Sequence, residues 1–137
     1  MRTNFLIFLL FWFATVPSLV IAETRDARYG RWETYSSTNV LKYPDFELRF
    51  IGSERGPLFP GSTTHRMGDI YKFRITTKEA QQDVSWSSGT GDIGPISFEI
   101  GGESYILEMV HSVIFDGFVS RDKVMLWRKS EWQSRRK

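Results

Sequence analysis

Apolar and polar positions alternate strictly over several short runs of this chain. Residues 46–50 read Phe-Glu-Leu-Arg-Phe, three apolar side chains on one face and two charges on the other. Residues 69–75 repeat the pattern, with Tyr71, Phe73 and Ile75 facing in and Lys72 and Arg74 facing out. Val84-Ser85-Trp86 is a shorter instance, and Val124-Met125-Leu126-Trp127 is a final apolar run. A looser alternation around Trp32 and Tyr35 in residues 31–36 suggests a first strand. Residues 39–43 carry no decisive period, and Pro44 imposes extended backbone on what precedes it. Residues 23–29 are polar without a period and read as an exposed segment; residues 78–82 read as a turn or one helical turn. Beyond the first part of the chain no stretch has an amphipathic helical period, and residues 130–137 are polar except for Trp132.

The strongest local signal is the stretch 96–109, in which Gly101-Gly102 separates two runs rich in β-branched and aromatic residues. Two glycines can both adopt positive φ, as a two-residue hairpin turn requires. That loop length pairs Ile100 with Glu103, Phe98 with Tyr105 and Ile96 with Leu107. Directly opposed residues share a face, so Ile96, Phe98, Ile100, Tyr105 and Leu107 form an apolar face. Ser97, Glu99, Ser104, Ile106 and Glu108 form the other. A three-residue loop would oppose Ile96 to Glu108 and mix the two sets. Burial of each large apolar side chain is worth roughly 1.5–3 kcal/mol, which makes this hairpin the expected organiser of the core.

Between the runs lie Gly, Pro, Asp and Ser clusters, the longest being residues 52–67 and 87–95. Short strands at this spacing predict an all-β fold, an antiparallel β-sandwich or small β-barrel of six to eight strands.

The N-terminus changes the picture of where the domain begins. Arg2 precedes an unbroken apolar run over residues 5–14, then Pro17-Ser18, then Val20-Ile21-Ala22. This is the pattern of a signal peptide, residues 1–22, cleaved after Ala22. Its apolar core is too short for a bilayer about 30 Å thick. Removing 22 of the 137 residues leaves 115, one ordinary domain, residues 23–137, with a polar basic tail over 130–137. The expected location is periplasmic or secreted, with no stable membrane span after cleavage. The chain contains no Cys, so it holds no disulfide, thiolate metal site or thiol nucleophile, and an exported domain of this kind must rely on its core. Loss of Arg2 leaves 17 basic and 16 acidic residues, a net charge of +1 and no footprint for nucleic acid.

The most pointed candidate chemistry is Ser85-Trp86-Ser87-Ser88-Gly89-Thr90-Gly91-Asp92-Ile93-Gly94-Pro95, small hydroxyl residues and three glycines beside a Trp. Such a loop can converge backbone N–H groups on a ligand. It is neither a Walker loop nor a dinucleotide fingerprint, because a strand rather than a helix follows. His65 and His111 stand far apart in sequence with no metal-ligand spacing, and no Gly-x-Ser-x-Gly elbow marks a nucleophile. Glu99 and Glu108 alternate onto the solvent face of the hairpin, the arrangement of a solvated surface. Trp86 and Trp127 sit among apolar neighbours, as core residues do, while Trp132 in the polar tail is the candidate exposed anchor.

In size, export signal and loop-borne function the chain resembles the small periplasmic β-barrel lysozyme inhibitors. Their loop motif of the Ser-Gly-x-x-Tyr type begins here as Ser88-Gly89, but Asp92 stands in place of the Tyr and the usual Cys pair is missing, so membership is not assigned. The residues together lead to the expectation of a non-catalytic binding domain, recognising a protein or glycan in the bacterial envelope through loops 52–67 and 87–95. Its candidate contacts are Trp86, Ser87, Ser88, Thr90, Asp92 and Trp132, with no cofactor and no metal. The alternatives are a small periplasmic hydrolase using a Ser or Asp of residues 87–95, or a structural subunit of an envelope assembly.

Overall fold

Two sheets stacked face to face account for nearly all of the computed structural model, which describes residues 21–57, 66–87, 95–109 and 123–137. The strands are β1 (Glu23–Asp26), β2 (Glu33–Thr34), β3 (Asn39–Lys42), β4 (Glu47–Pro57), β5 (Met67–Thr76), β6 (Gln81–Ser87), β7 (Ile96–Ile100), β8 (Glu103–Met109) and β9 (Lys123–Arg128), followed by helix α1 (Lys129–Ser134). One sheet has the order β1-β3-β4-β5-β6 and the other β2-β9-β8-β7. Among the described residues only the β1–β3 pairing is parallel. The fold is an all-β sandwich.

The core lies between the sheets and follows from the alternation. Leu48, Phe73, Ile75 and Trp86 from the first sheet meet Phe98, Tyr105, Leu107 and Leu126 from the second, all buried. The β7–β8 hairpin has the two-residue register, Ile96 to Leu107, Phe98 to Tyr105 and Ile100 to Glu103. Gly101 and Gly102 turn it with φ of 62° and 81°. Ile106, placed by alternation on the outer face, is nevertheless buried at 5% exposure. The reason is its cross-strand partner Trp127, whose indole covers that face.

The structure departs from the sequence-based expectation in four places. Residues 23–29 are not a free segment. Glu23–Asp26 pairs with β3 as an edge strand whose side chains are all exposed, so hydropathy carries no trace of it. Residues 39–43, which carry no decisive period, contain β3. Residues 52–57 are not loop, because β4 runs on to Pro57 opposite Met67. A bulge between Phe50 and Gly52 puts Ile51 out of register at 40% exposure and breaks the alternation that would have revealed the strand. Residues 129–134 form a helix with no buried residue.

Asn39, the one buried polar side chain among the described residues, fixes the crossover between the sheets. Its Oδ1 accepts from Ser36 N at 2.8 Å and its Nδ2 donates to Thr34 O at 3.1 Å. The chain thereby leaves β2 in one sheet and starts β3 in the other with its polar groups satisfied.

Hairpin alternation gives the sandwich two distinct ends. The turns at residues 43–46, 77–80 and 101–102, and the β9–α1 junction at Arg128, lie at one end. The strand termini flanking 58–65, 88–94 and 110–122 lie at the other.

Candidate functional site at the turn end

Asp45, at the β3–β4 turn, is the hub of the turn end. Its Oδ2 accepts from Tyr29 Oη at 2.8 Å, Arg128 Nη2 at 2.8 Å and Tyr105 Oη at 3.3 Å. One carboxylate oxygen therefore joins the segment before β2 to the turn of the first sheet and to β8 and β9 of the second. The rings beneath are ordered by stacking: Tyr29 lies against Tyr43 at 5.3 Å between centroids and against Tyr105 at 5.9 Å, and Tyr105 stacks on Phe98 at 5.5 Å. Arg128 covers the Tyr29 ring at 5.3 Å, adding a cation–π contact to its ion pair.

The electrostatics of the hub follow from these contacts. The Arg128 hydrogen bond, then that of Tyr29, holds the Asp45 carboxyl below the ordinary carboxylate range. Burial, then the Asp45 hydrogen bond, pushes the Tyr29 phenol well above its usual value. Burial followed by the Asp45 charge raises Tyr105. Near neutral pH the acid stays ionised and both phenols stay protonated, so the donor–acceptor pattern is fixed. Tyr43 is raised by burial and by Glu33, and its hydroxyl is a buried polar atom without a hydrogen-bond partner among the described residues.

Two clefts open on either side of this hub. One, of about 250 Å³, is lined by Lys42, Asp45, Glu47, Thr76, Thr77 and Lys78 among others. The other, of about 320 Å³, is lined by Asp45, Lys78, Glu79, Gly101, Glu103 and Tyr105 among others. Asp45, Thr77 and Lys78 line both, so the two clefts adjoin along these residues as a two-part groove at the turn end. One wall is braced by local hydrogen bonds. Thr77 closes the β5–β6 turn through Thr77 N to Ala80 O at 2.8 Å, and its Oγ1 accepts from Glu79 N at 3.2 Å and Ala80 N at 2.9 Å. That side-chain turn presents Lys78 and Glu79, both exposed, to the groove. The Gly101-Gly102 turn forms the facing wall.

Of the residues singled out by sequence, Trp86, Ser87 and Trp132 are among the described residues, and none of them lines these clefts. Trp86 is 2% exposed and belongs to the core. Its core placement agrees with its apolar neighbours, and the ring, enclosed between the sheets, supports the end of β6. Ser87 is half-buried at the end of β6, opposite Ile70. Ser88, Thr90 and Asp92 lie outside the described residues, as do His65 and His111. Trp132 is half-buried on α1, with its Nε1 3.4 Å from Glu108 Oε1. Glu108 is not simply solvated: it accepts from Trp132 and, at 3.1 Å, from Trp127 Nε1. Among the described residues no group of three or more His, Asp or Glu is placed to hold a metal, and no helix is long and apolar enough to cross a membrane.

The groove residues Asp45, Lys78, Glu79 and Glu103 escaped sequence reasoning because each is an ordinary turn or strand-end polar residue in its own stretch. Only the local cue of Pro44-Asp45 marks one of them as a turn. Comparison with protein families, with curated proteins and with solved structures finds no match to this chain.

Proposed function

We propose that this chain is an exported, non-catalytic binding domain that recognises a protein or glycan of the bacterial envelope through the turn-end groove. The observation that carries this reading is the geometry of the hub, where Tyr29, Arg128 and Tyr105 all donate to Asp45 Oδ2. Catalytic acids and bases work best when poised near the operating pH, whereas Asp45 is displaced downward and Tyr29 and Tyr105 upward. A charge held by three donors suits ligand orientation, since a group already ordered lowers the ordering cost of binding. The mixed lining, with Lys42 and Lys78 facing Glu47, Glu79 and Glu103, favours a polar ligand offering both donors and acceptors. Export is supported by the basic, apolar and small-residue succession of residues 1–22, and by β1 beginning at Glu23, directly beyond the expected cleavage point. This reading places the contact surface at the turn end, while most of residues 52–67 and 87–95, the stretches favoured from sequence, lie outside the described residues.

The test is capture from envelope extract by the immobilised chain starting at Glu23. The expected result is a retained protein or glycan that Lys78→Ala with Glu103→Ala releases, while the exposed pair Arg49→Gln with Arg55→Gln leaves it bound. A partner retained equally by the groove variant contradicts the assignment.

A further inference from the structure

The outer face of the second sheet carries a separate arrangement. Glu108 uses both carboxylate oxygens on indoles, Oε2 for Trp127 and Oε1 for Trp132. It therefore orients two rings and pairs with no arginine among the described residues. A guanidinium then lies over each ring: Arg135 stands 4.4 Å from the Trp127 centroid and Arg136 4.0 Å from that of Trp132. Both arginines are exposed, and neither has a carboxylate partner among the described residues. A guanidinium held over an indole keeps N–H groups at its edge for an oxyanion, with the side chain already ordered. Residues 129–137 carry four bases, Lys129, Arg135, Arg136 and Lys137, against one acid, Glu131, a net +3 in a nearly neutral domain. Trp32, 43% exposed, precedes β2 on the β9 edge of the same sheet.

We propose that this face docks the domain on an anionic phospholipid surface. Arg135, Arg136 and Lys137 meet lipid phosphates, and Trp32, with the exposed part of Trp132, sits at headgroup level, the depth that indoles favour. Charge complementarity selects the occupant. A soluble phosphate would use the arginine edges alone and leave the exposed indole without a role, whereas a bilayer surface uses both. The face is distinct from the turn-end groove, so the domain could hold its partner while resting on a membrane.

The test is co-sedimentation of the chain from Glu23 to Lys137, which contains every described strand and the helix. The vesicles are phosphatidylcholine alone or an equal mixture with phosphatidylglycerol. Binding is expected only to the mixture, weakened by high salt, with tryptophan fluorescence quenched by bromine-labelled lipid. Arg135→Gln with Arg136→Gln is expected to lower partition about thirtyfold, from roughly 1 kcal/mol per basic residue at an anionic surface. Arg49→Gln with Arg55→Gln, an equal loss of charge on the other sheet, is expected to leave binding unchanged. Equal binding to neutral vesicles, or equal losses in the two double variants, overturns the proposal. So does binding of inorganic phosphate, or retention of an acidic protein, without vesicle binding.

Discussion

Gly30 shows how a single position can be fixed by a residue far along the chain. Its φ is +71°, and a Cβ built there would lie 2.6 Å from Trp127 Cζ3. Its N–H donates to Leu126 O at 2.7 Å, so the backbone cannot retreat from the ring. Gly30→Ala is expected to destabilise the fold by about 2–4 kcal/mol, combining left-handed strain with overpacking, as read from urea unfolding. Tyr43 is expected to behave in the opposite way. Its hydroxyl is buried without a partner among the described residues, and Tyr43→Phe removes that unmet group while keeping the ring, which should raise stability by about 1–3 kcal/mol. Asp45 gives a pH signature. Its carboxyl titrates below the unfolded value near 3.8, so its stabilising contribution is present above that value and is lost as pH falls through the lower folded value. Asp45→Asn is expected to flatten this acid limb of the stability–pH curve. At neutral pH it should cost only about 1 kcal/mol, because the Asp45 and Arg128 side chains are 39% and 42% exposed. None of these three positions was legible in sequence: each depends on a partner brought up by the fold, and local periodicity records only which face a residue takes.

The β7–β8 hairpin was the most legible element, because register, turn chemistry and hydropathy agree there. Its glycines differ from Gly30 in one respect: a Cβ at Gly101 or Gly102 meets nothing within 4 Å. Substitution therefore costs only backbone conformation. Gly101→Asn is expected to be nearly neutral and Gly101→Ala to cost about 1 kcal/mol, since Asn tolerates the left-handed region better; thermal unfolding of the two variants checks this. The half-buried runs of β4 and β5 were legible for the same reason. Elements with little apolar burial were not. β1 is held by backbone pairing to β3, the end of β4 lies beyond a bulge, and α1 has its polar residues all round apart from Trp132. Its Trp132 and Arg135 attach it to Glu108 and Trp127. These contacts cross the outer sheet face and have no hydrophobic period in the helix itself.

Taken whole, the molecule divides its ends and faces among different roles. The core joins the two sheets, Asn39 fixes the crossover, and the Asp45 hub clasps the turn end. The all-β class was legible because the chain writes most strands as alternation; the groove was not, because it is assembled from three turns and a strand end, all widely separated in sequence. The apolar core carries the fold and the polar turns carry the candidate site, so groove substitutions should alter recognition with little loss of stability. Lys78 and Glu103, both exposed, are the positions where that separation is sharpest. The most direct test is capture from envelope extract by the wild-type chain and by the Lys78→Ala, Glu103→Ala variant, with unfolding curves run in parallel. The expected result is a partner held by the wild type and lost by the variant at unchanged stability. A partner held equally by both, or no partner held by the wild type, would contradict the assignment of the turn-end groove as the binding site.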